Sequence, residues 1–295
     1  MASAVEVSAF QARSFRMGGN KTIVYRLFVP KNYQPSKKYP LMLTLHGAGE
    51  RGSDDSAQLL HDFNRMWAAD SVQNLHPCFV LAPQCPVDSQ WVNTPWAKGS
   101  YNLDAIAISD PMKSVVGILD SLEKEFSLDL DRIYLSGISM GGYGTWYLAM
   151  KFPGRFAAAV PVCGGADPKK AASIAKLPIW TFHAEDDGTV PVAGTREMVA
   201  ALKAAGSAVI YTEYPKALGY NHLSWIPAGK TPELVPWVFK QARASVRLVQ
   251  GAGGTVGDTP EHAPAGGKQP GKVDALGKSL PGSEPAVPSF RNPAP

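Results

Sequence analysis

Apolar and polar residues alternate loosely over residues 5–15 and again over 22–29, with Gly18-Gly19-Asn20 between the two stretches and Pro30 after the second. Period-two alternation interrupted by a glycine-rich turn predicts the two strands of a hairpin. The alternation then fuses into an unbroken apolar run, Tyr39-Pro-Leu-Met-Leu-Thr-Leu45, the pattern of a strand covered on both faces. Further strand-like runs follow at residues 78–82, 133–135, 156–163, 178–182 and 208–214. Between these runs the period lengthens. Residues 58–69 place Leu59, Leu60, Phe63, Met66 and Trp67 at helical spacing, and residues 111–126 do the same with Val115, Leu119, Leu122 and Phe126. The second of these has Ser109 or Asp110 available as a cap and Pro111 in its first turn. Further helices are predicted from residue 142 (Trp146, Leu148, Ala149, Met150), over 195–205, and over 232–243. A leading hairpin followed by alternating strands and helices predicts an α/β fold, a mostly parallel, doubly wound sheet with an antiparallel N-terminal edge.

Two stretches escape the periodicity. Residues 84–104 form a long loop carrying Trp91, Trp96 and Tyr101; a loop of that length in a compact domain is commonly a binding element or a lid. Past Leu248, glycine and proline fill 17 of the 45 positions from 251 to 295, with Phe290 the only aromatic. Such a composition cannot bury enough apolar surface to offset the entropy of ordering it. The expected division is therefore a folded domain at 1–248 and a disordered tail at 249–295, with no chemistry and no partner assigned to the tail.

Composition narrows the function classes. Hydrophobic residues make up 45% of the chain and charged residues 18%, enough for a large core. The net charge of +4 is dispersed, with Lys37-Lys38 and Lys169-Lys170 the only lysine pairs, so nucleic acid is not the expected partner. No apolar run reaches the ~20 residues of a membrane span. The opening residues lack the basic and apolar regions of a secretory leader, so the cytoplasm is the default location, with secretion the alternative if a leader has been trimmed from this chain. Cys78, Cys85 and Cys163 are too few for a disulfide framework and read as buried free thiols, although Cys78 and Cys85 flank one strand.

The chemistry centres on Gly137-Ile-Ser-Met-Gly141, between a predicted strand and a predicted helix. Gly-x-Ser-x-Gly in that context is a nucleophile elbow, a turn tight enough to strain the serine and expose its Oγ. The N–H of Met140 lies at the helix start, where free donors and the dipole favour an oxyanion. A serine needs a base and an acid to become nucleophilic. Among Glu185, Asp186 and Asp187, on the loop after the 178–182 strand, Asp187 is favoured as the acid because it stands three residues before Val190-Pro191. His222 is the histidine on a strand-end loop beyond that acid, and His183 is expected to bond locally while His46 shapes a turn. His46-Gly47-Ala48-Gly49, after the third strand, offers the Ala48 N–H as a second oxyanion donor. No histidine spacing suggests a metal site, and no cofactor is expected.

With these pieces in place, the chain resembles the α/β-hydrolases, and within them the phospholipase/carboxylesterase and feruloyl-esterase-like group sometimes labelled predicted peptidases. The resemblance runs over about residues 5–245 and rests on His46-Gly-Ala-Gly-Glu-Arg-Gly-Ser-Asp54, the long match over residues 131–146 around Ser139, Phe182-His183 through Val190-Pro191, and His222-x-x-Trp225. It implies a Ser139–Asp187–His222 triad cleaving carboxylic esters of small molecules through an acyl-enzyme. Two positions depart from the group's pattern, where glycine is usual: Ala184 after His183, and Asn221 before His222. Trp91, Trp96, Tyr101 and Trp225 are candidates for the substrate pocket, the first three equally for lid packing. Peptidase, thioesterase or phospholipase activity would use the same residues, and a binding protein with an idle serine site is the alternative of another class.

Overall fold

The computed structural model describes residues 5–16 and 22–243. The turn expected at Gly18-Gly19-Asn20 and the tail expected at 249–295 lie outside the described residues. Strands β1 (Gln11–Arg16), β2 (Thr22–Phe28), β3 (Tyr39–Leu45) and β4 (Phe79–Pro83) lead the fold, with the one-turn helices α1 (Asp62–Arg65) and α2 (Asp70–Gln73) between β3 and β4. Then come α3 (Asp110–Glu125), β5 (Leu128–Ile138), α4 (Met140–Lys151), β6 (Ala158–Val162) and β7 (Trp180–Ala184). Helix α5 (Val192–Ala204), β8 (Ile210–Tyr214), α6 (Trp225–Ala228) and α7 (Leu234–Lys240) complete it.

All eight strands join one sheet in the order β1-β2-β4-β3-β5-β6-β7-β8. β2 runs antiparallel to both β1 and β4, and every other pair is parallel. Helices cover both faces, which is why every residue of β3 is buried. Period two sorts the side chains of β3. Leu41, Leu43 and Leu45 pack with α3, α4 and α5, while Met42 joins Phe63, Trp225 and Val238 from α1, α6 and α7 on the other face. Helix α3 starts where its sequence signals place it, with Ser109 Oγ accepting the Met112 N–H at 3.2 Å.

Several predicted elements come out shorter, β6 and β8 by two or three residues and three others by more. Strand β1 begins at Gln11, because Val7–Ala9 form a 3₁₀ turn that drops Phe10 edge-on against Phe28 at 5.5 Å. The helix expected over 58–69 is broken into a 3₁₀ turn, α1 and a second 3₁₀ turn. The break falls at His61, whose backbone is extended and whose Nε2 meets Glu50 Oε1 at 3.2 Å; a tertiary contact there overrides a pattern that local spacing favoured. The last helix is confined to α7. Among the described residues no helix is long and apolar enough to cross a membrane.

Candidate active site

Central strand β5 delivers Ser139 into α4. The serine has φ 53° and ψ −118°, a left-handed conformation that costs a non-glycine residue about 1–3 kcal/mol. The surroundings hold it there. Its N–H donates to Val162 O at 3.0 Å, and its carbonyl accepts the Tyr143 N–H that begins the α4 ladder. Strand and helix cross in backbone contact, since a Cβ on Gly137 would stand 2.4 Å from Gly141 O and one on Gly141 2.0 Å from Leu45 O. No side chain fits at either position.

The loops after β7 and β8 bring Asp187 and His222 to this serine. Ser139 Oγ lies 2.8 Å from His222 Nε2, and His222 Nδ1 lies 2.8 Å from Asp187 Oδ2 and 3.0 Å from Oδ1. The Asp187 side chain is wholly buried. Oδ1 accepts the Thr189 and Val190 amides, each at 2.8 Å, while Oδ2 also faces His183 Nε2 at 3.2 Å. Burial acts to raise this carboxyl's pKa, but the two imidazoles and the Val190 amide outweigh it and hold the group well below the usual carboxylate range. Asp187 is therefore ionised at neutral pH. His183 is a supporting partner of the acid that sequence reading left as a local bonder. Its other nitrogen meets Thr195 Oγ1 at 2.8 Å, and only the placement of α5 beside β7 reveals that arrangement.

Asp186, the weaker candidate, accepts the Asn221 N–H at 3.0 Å, and Asn221 Oδ1 in turn accepts the Gly188 N–H at 3.1 Å. Asn221 sits at φ 49°. That explains one departure from the family pattern: the position needs a left-handed residue, asparagine tolerates this best after glycine, and its amide stitches the two loops together. Ala184, the other departure, is buried at the end of β7, where its small side chain is accommodated.

The loop after β3 packs against the serine. A Cβ on Gly47 would lie 3.6 Å from Ser139 Cβ, and Ala48 opens a 3₁₀ turn to Glu50. His46 fixes this loop from beneath. Burial lowers its pKa to about 4, so it is neutral; Nε2 accepts the Cys85 N–H at 2.8 Å, which leaves Nδ1–H to donate to Gly47 O at 2.6 Å. The first amides of α4, Met140 among them, have no intrahelical acceptor.

The aromatic candidates separate. Trp91 is fully buried, its ring edge-on to His46 at 5.2 Å and its indole N–H donating to His46 O at 3.1 Å. It braces the loop from inside, so it does not line a pocket open to substrate. Trp96 and Tyr101 both gather on Tyr143, in the first turn of α4. Tyr143 OH donates to Trp96 O at 2.8 Å, and Tyr101 stacks on the Tyr143 ring at 6.1 Å. Trp225 stands perpendicular to His222, ring centroids 5.5 Å apart.

One unexpected neighbour is Cys163, whose sulfur lies with donor atoms of Asp187 and His222 inside a 4.8 Å group. Burial pushes its thiol up to about 12, as it does for Cys78 and Cys85, so all three sulfurs are protonated at neutral pH. All three are buried and unpaired. Native protein treated with a thiol reagent at pH 8 should accordingly show no accessible thiol and full activity, with all three titrating after denaturation. Rapid native modification of Cys163 would contradict this assignment.

The comparisons agree with the geometry. A family profile described as "Putative esterase" matches residues 14–237. A solved thermostable esterase is 43% identical with a TM-score of 0.74, covering 80% of this chain and 64% of its own. A ferulic acid esterase shares the fold at 16% identity and a TM-score of 0.56, covering 78% of this chain and 97% of its own. Among curated proteins, a poly(3-hydroxyoctanoate) depolymerase of Pseudomonas fluorescens is 32% identical over 144 residues, 48% of this chain and 50% of the depolymerase. A bifunctional acetylxylan esterase/xylanase of Neocallimastix patriciarum is 28% identical over 159 residues, 53% of this chain and 20% of that enzyme. The chain thus matches half or less of the length of these curated relatives. A profile match over most of the chain, on a sheet of this order with a serine elbow at its centre, means that the chain belongs to the esterase family of the α/β-hydrolase group.

Proposed function

We propose that the chain is a serine carboxylesterase acting on small-molecule esters through a Ser139–His222–Asp187 triad. The observation that carries this reading is the unbroken row from Ser139 Oγ to His222 Nε2 and from His222 Nδ1 to Asp187, each step 2.8 Å at its shortest. In this reading Ser139 Oγ attacks the ester carbonyl while His222 Nε2 takes its proton. Ionised Asp187 keeps the remaining imidazole proton on Nδ1 and stabilises the imidazolium that forms. The amides of Met140 and Ala48 receive the oxyanion, each donor contributing about 3–4 kcal/mol to the barrier reduction. The imidazolium then protonates the departing alcohol, and a water activated by His222 releases the acid from Ser139.

Membership of the esterase family supports the reaction class. Peptidase, thioesterase and phospholipase chemistry would need the same row of groups, and no observation here favours one of them over ester cleavage. The test is turnover of p-nitrophenyl acetate in ¹⁸O-labelled water by the purified chain. The expected outcome is a burst of nitrophenol followed by steady release, with one solvent oxygen in the acetate. Failure to turn over any short ester would sink the proposal.

A further inference from the structure

A groove of about 490 Å³ opens between the α1 region and α6, with Leu60, His61, Phe63, Met66, Trp225 and Ile226 along it. Its place relative to the triad follows from two ring contacts. The Trp225 indole that stands edge-on to His222 also meets the His61 ring at 5.2 Å. The wall of the groove is thus the same side chain that packs against the proposed base. The groove is mostly apolar. Leu60 is 63% exposed and Ile226 44%. Single exposed aliphatics need no explanation, but two of them lining one groove that the Trp225 indole also walls mark a ligand surface. Of the charged groups along it, the Arg65 guanidinium is bound to Asp62 at 2.6 Å and His61 meets buried Glu50 at 3.2 Å, while exposed Lys230 adds one positive charge.

We propose that this groove receives an unbranched apolar chain on the alcohol side of the ester, and that Leu60, Phe63, Met66, Trp225 and Ile226 set the preference for its length. The inference rests on the esterase reading above. Chemistry assigns the side. His222 Nε2 must protonate the leaving oxygen, so the alcohol lies against the imidazole and the acyl substituent points away from it. Trp225 is the side chain standing against that imidazole. An apolar chain of the alcohol laid along that indole is carried toward the groove that the indole walls.

The test compares two ester series with the intact chain: ethyl, butyl, hexyl and octyl acetate, and ethyl acetate, butyrate, hexanoate and octanoate. The alcohol series should climb about four-fold in kcat/KM per buried methylene over its first members, and more steeply than the acyl series. The double variant Leu60→Ser, Ile226→Ser should lower the octyl-to-ethyl acetate ratio at least about ten-fold, a loss of two or so methylene contacts. Leu130→Ser, an exposed position at the start of β5, should leave that ratio as it was. A flat alcohol series, a preference confined to the acyl series, or an unmoved ratio in the double variant overturns the groove assignment while leaving the esterase reading intact. Absence of turnover on every ester overturns the esterase reading itself.

Discussion

Replacing Ser139 with alanine should lower kcat on a short ester by about a million-fold, with the thermal midpoint close to that of the parent chain. The size follows from the proposed role. Without Oγ no acyl-enzyme forms, and what survives is catalysis by the oxyanion donors and binding alone. Folding should be spared because alanine accepts the same backbone contacts, Ser139 N–H to Val162 O and Tyr143 N–H to Ser139 O. The φ of 53° adds a second readout. Ser139→Gly should be as inactive as Ser139→Ala yet more stable by about 1 kcal/mol or more, because glycine enters the left-handed region without the strain that serine carries. Urea midpoints of the two variants measure that difference. Equal stability would mean that the elbow stores no strain.

Asp187→Asn should lower kcat by about 10⁴-fold while preserving the fold. The two carboxylate oxygens share His222 Nδ1, closer to Oδ2, but otherwise have different partners, and this makes the substitution informative. Oδ1 accepts the Thr189 and Val190 amides, and an asparagine carbonyl can accept both in its place. Oδ2 faces His222 and His183, where the asparagine NH₂ would now stand. A donor opposite His222 Nδ1 favours the tautomer with its proton on Nε2, which cannot accept a proton from Ser139. Binding should change little, so the loss should appear in kcat rather than KM. A loss confined to KM would argue that Asp187 positions substrate and does not orient the base.

The juxtaposition of Ser139, His222 and Asp187 was legible in the sequence because its parts are backbone devices with local signatures. A serine elbow needs Gly137 and Gly141 for reasons visible over five residues, and the order of serine, acid and histidine is the one that the resemblance to the α/β-hydrolases implies. Asp187 and His222 could be chosen because each sits on a loop directly after a strand. The groove was not legible. Its walls come from residues 60–66 and 225–226, far apart in the chain and adjacent only because α1 and α6 share one face of the sheet. Sequence reasoning looked for the pocket mostly in the 84–104 loop because aromatic residues cluster there, and of the groove's walls it named Trp225 alone. Trp91 instead spends its ring and its N–H on His46, a contact that chain order cannot reveal. The break at His61 was hidden for the same reason, since it depends on Glu50 from another loop.

The central claim, that Ser139 is a nucleophile activated by His222, is tested most directly by the mass of the chain after treatment with a fluorophosphonate. Digestion and peptide mapping should find one adduct per chain, on Ser139, with no labelling in the Ser139→Ala variant. An adduct on Cys163 or elsewhere, or an unlabelled chain that still hydrolyses esters, would contradict the account.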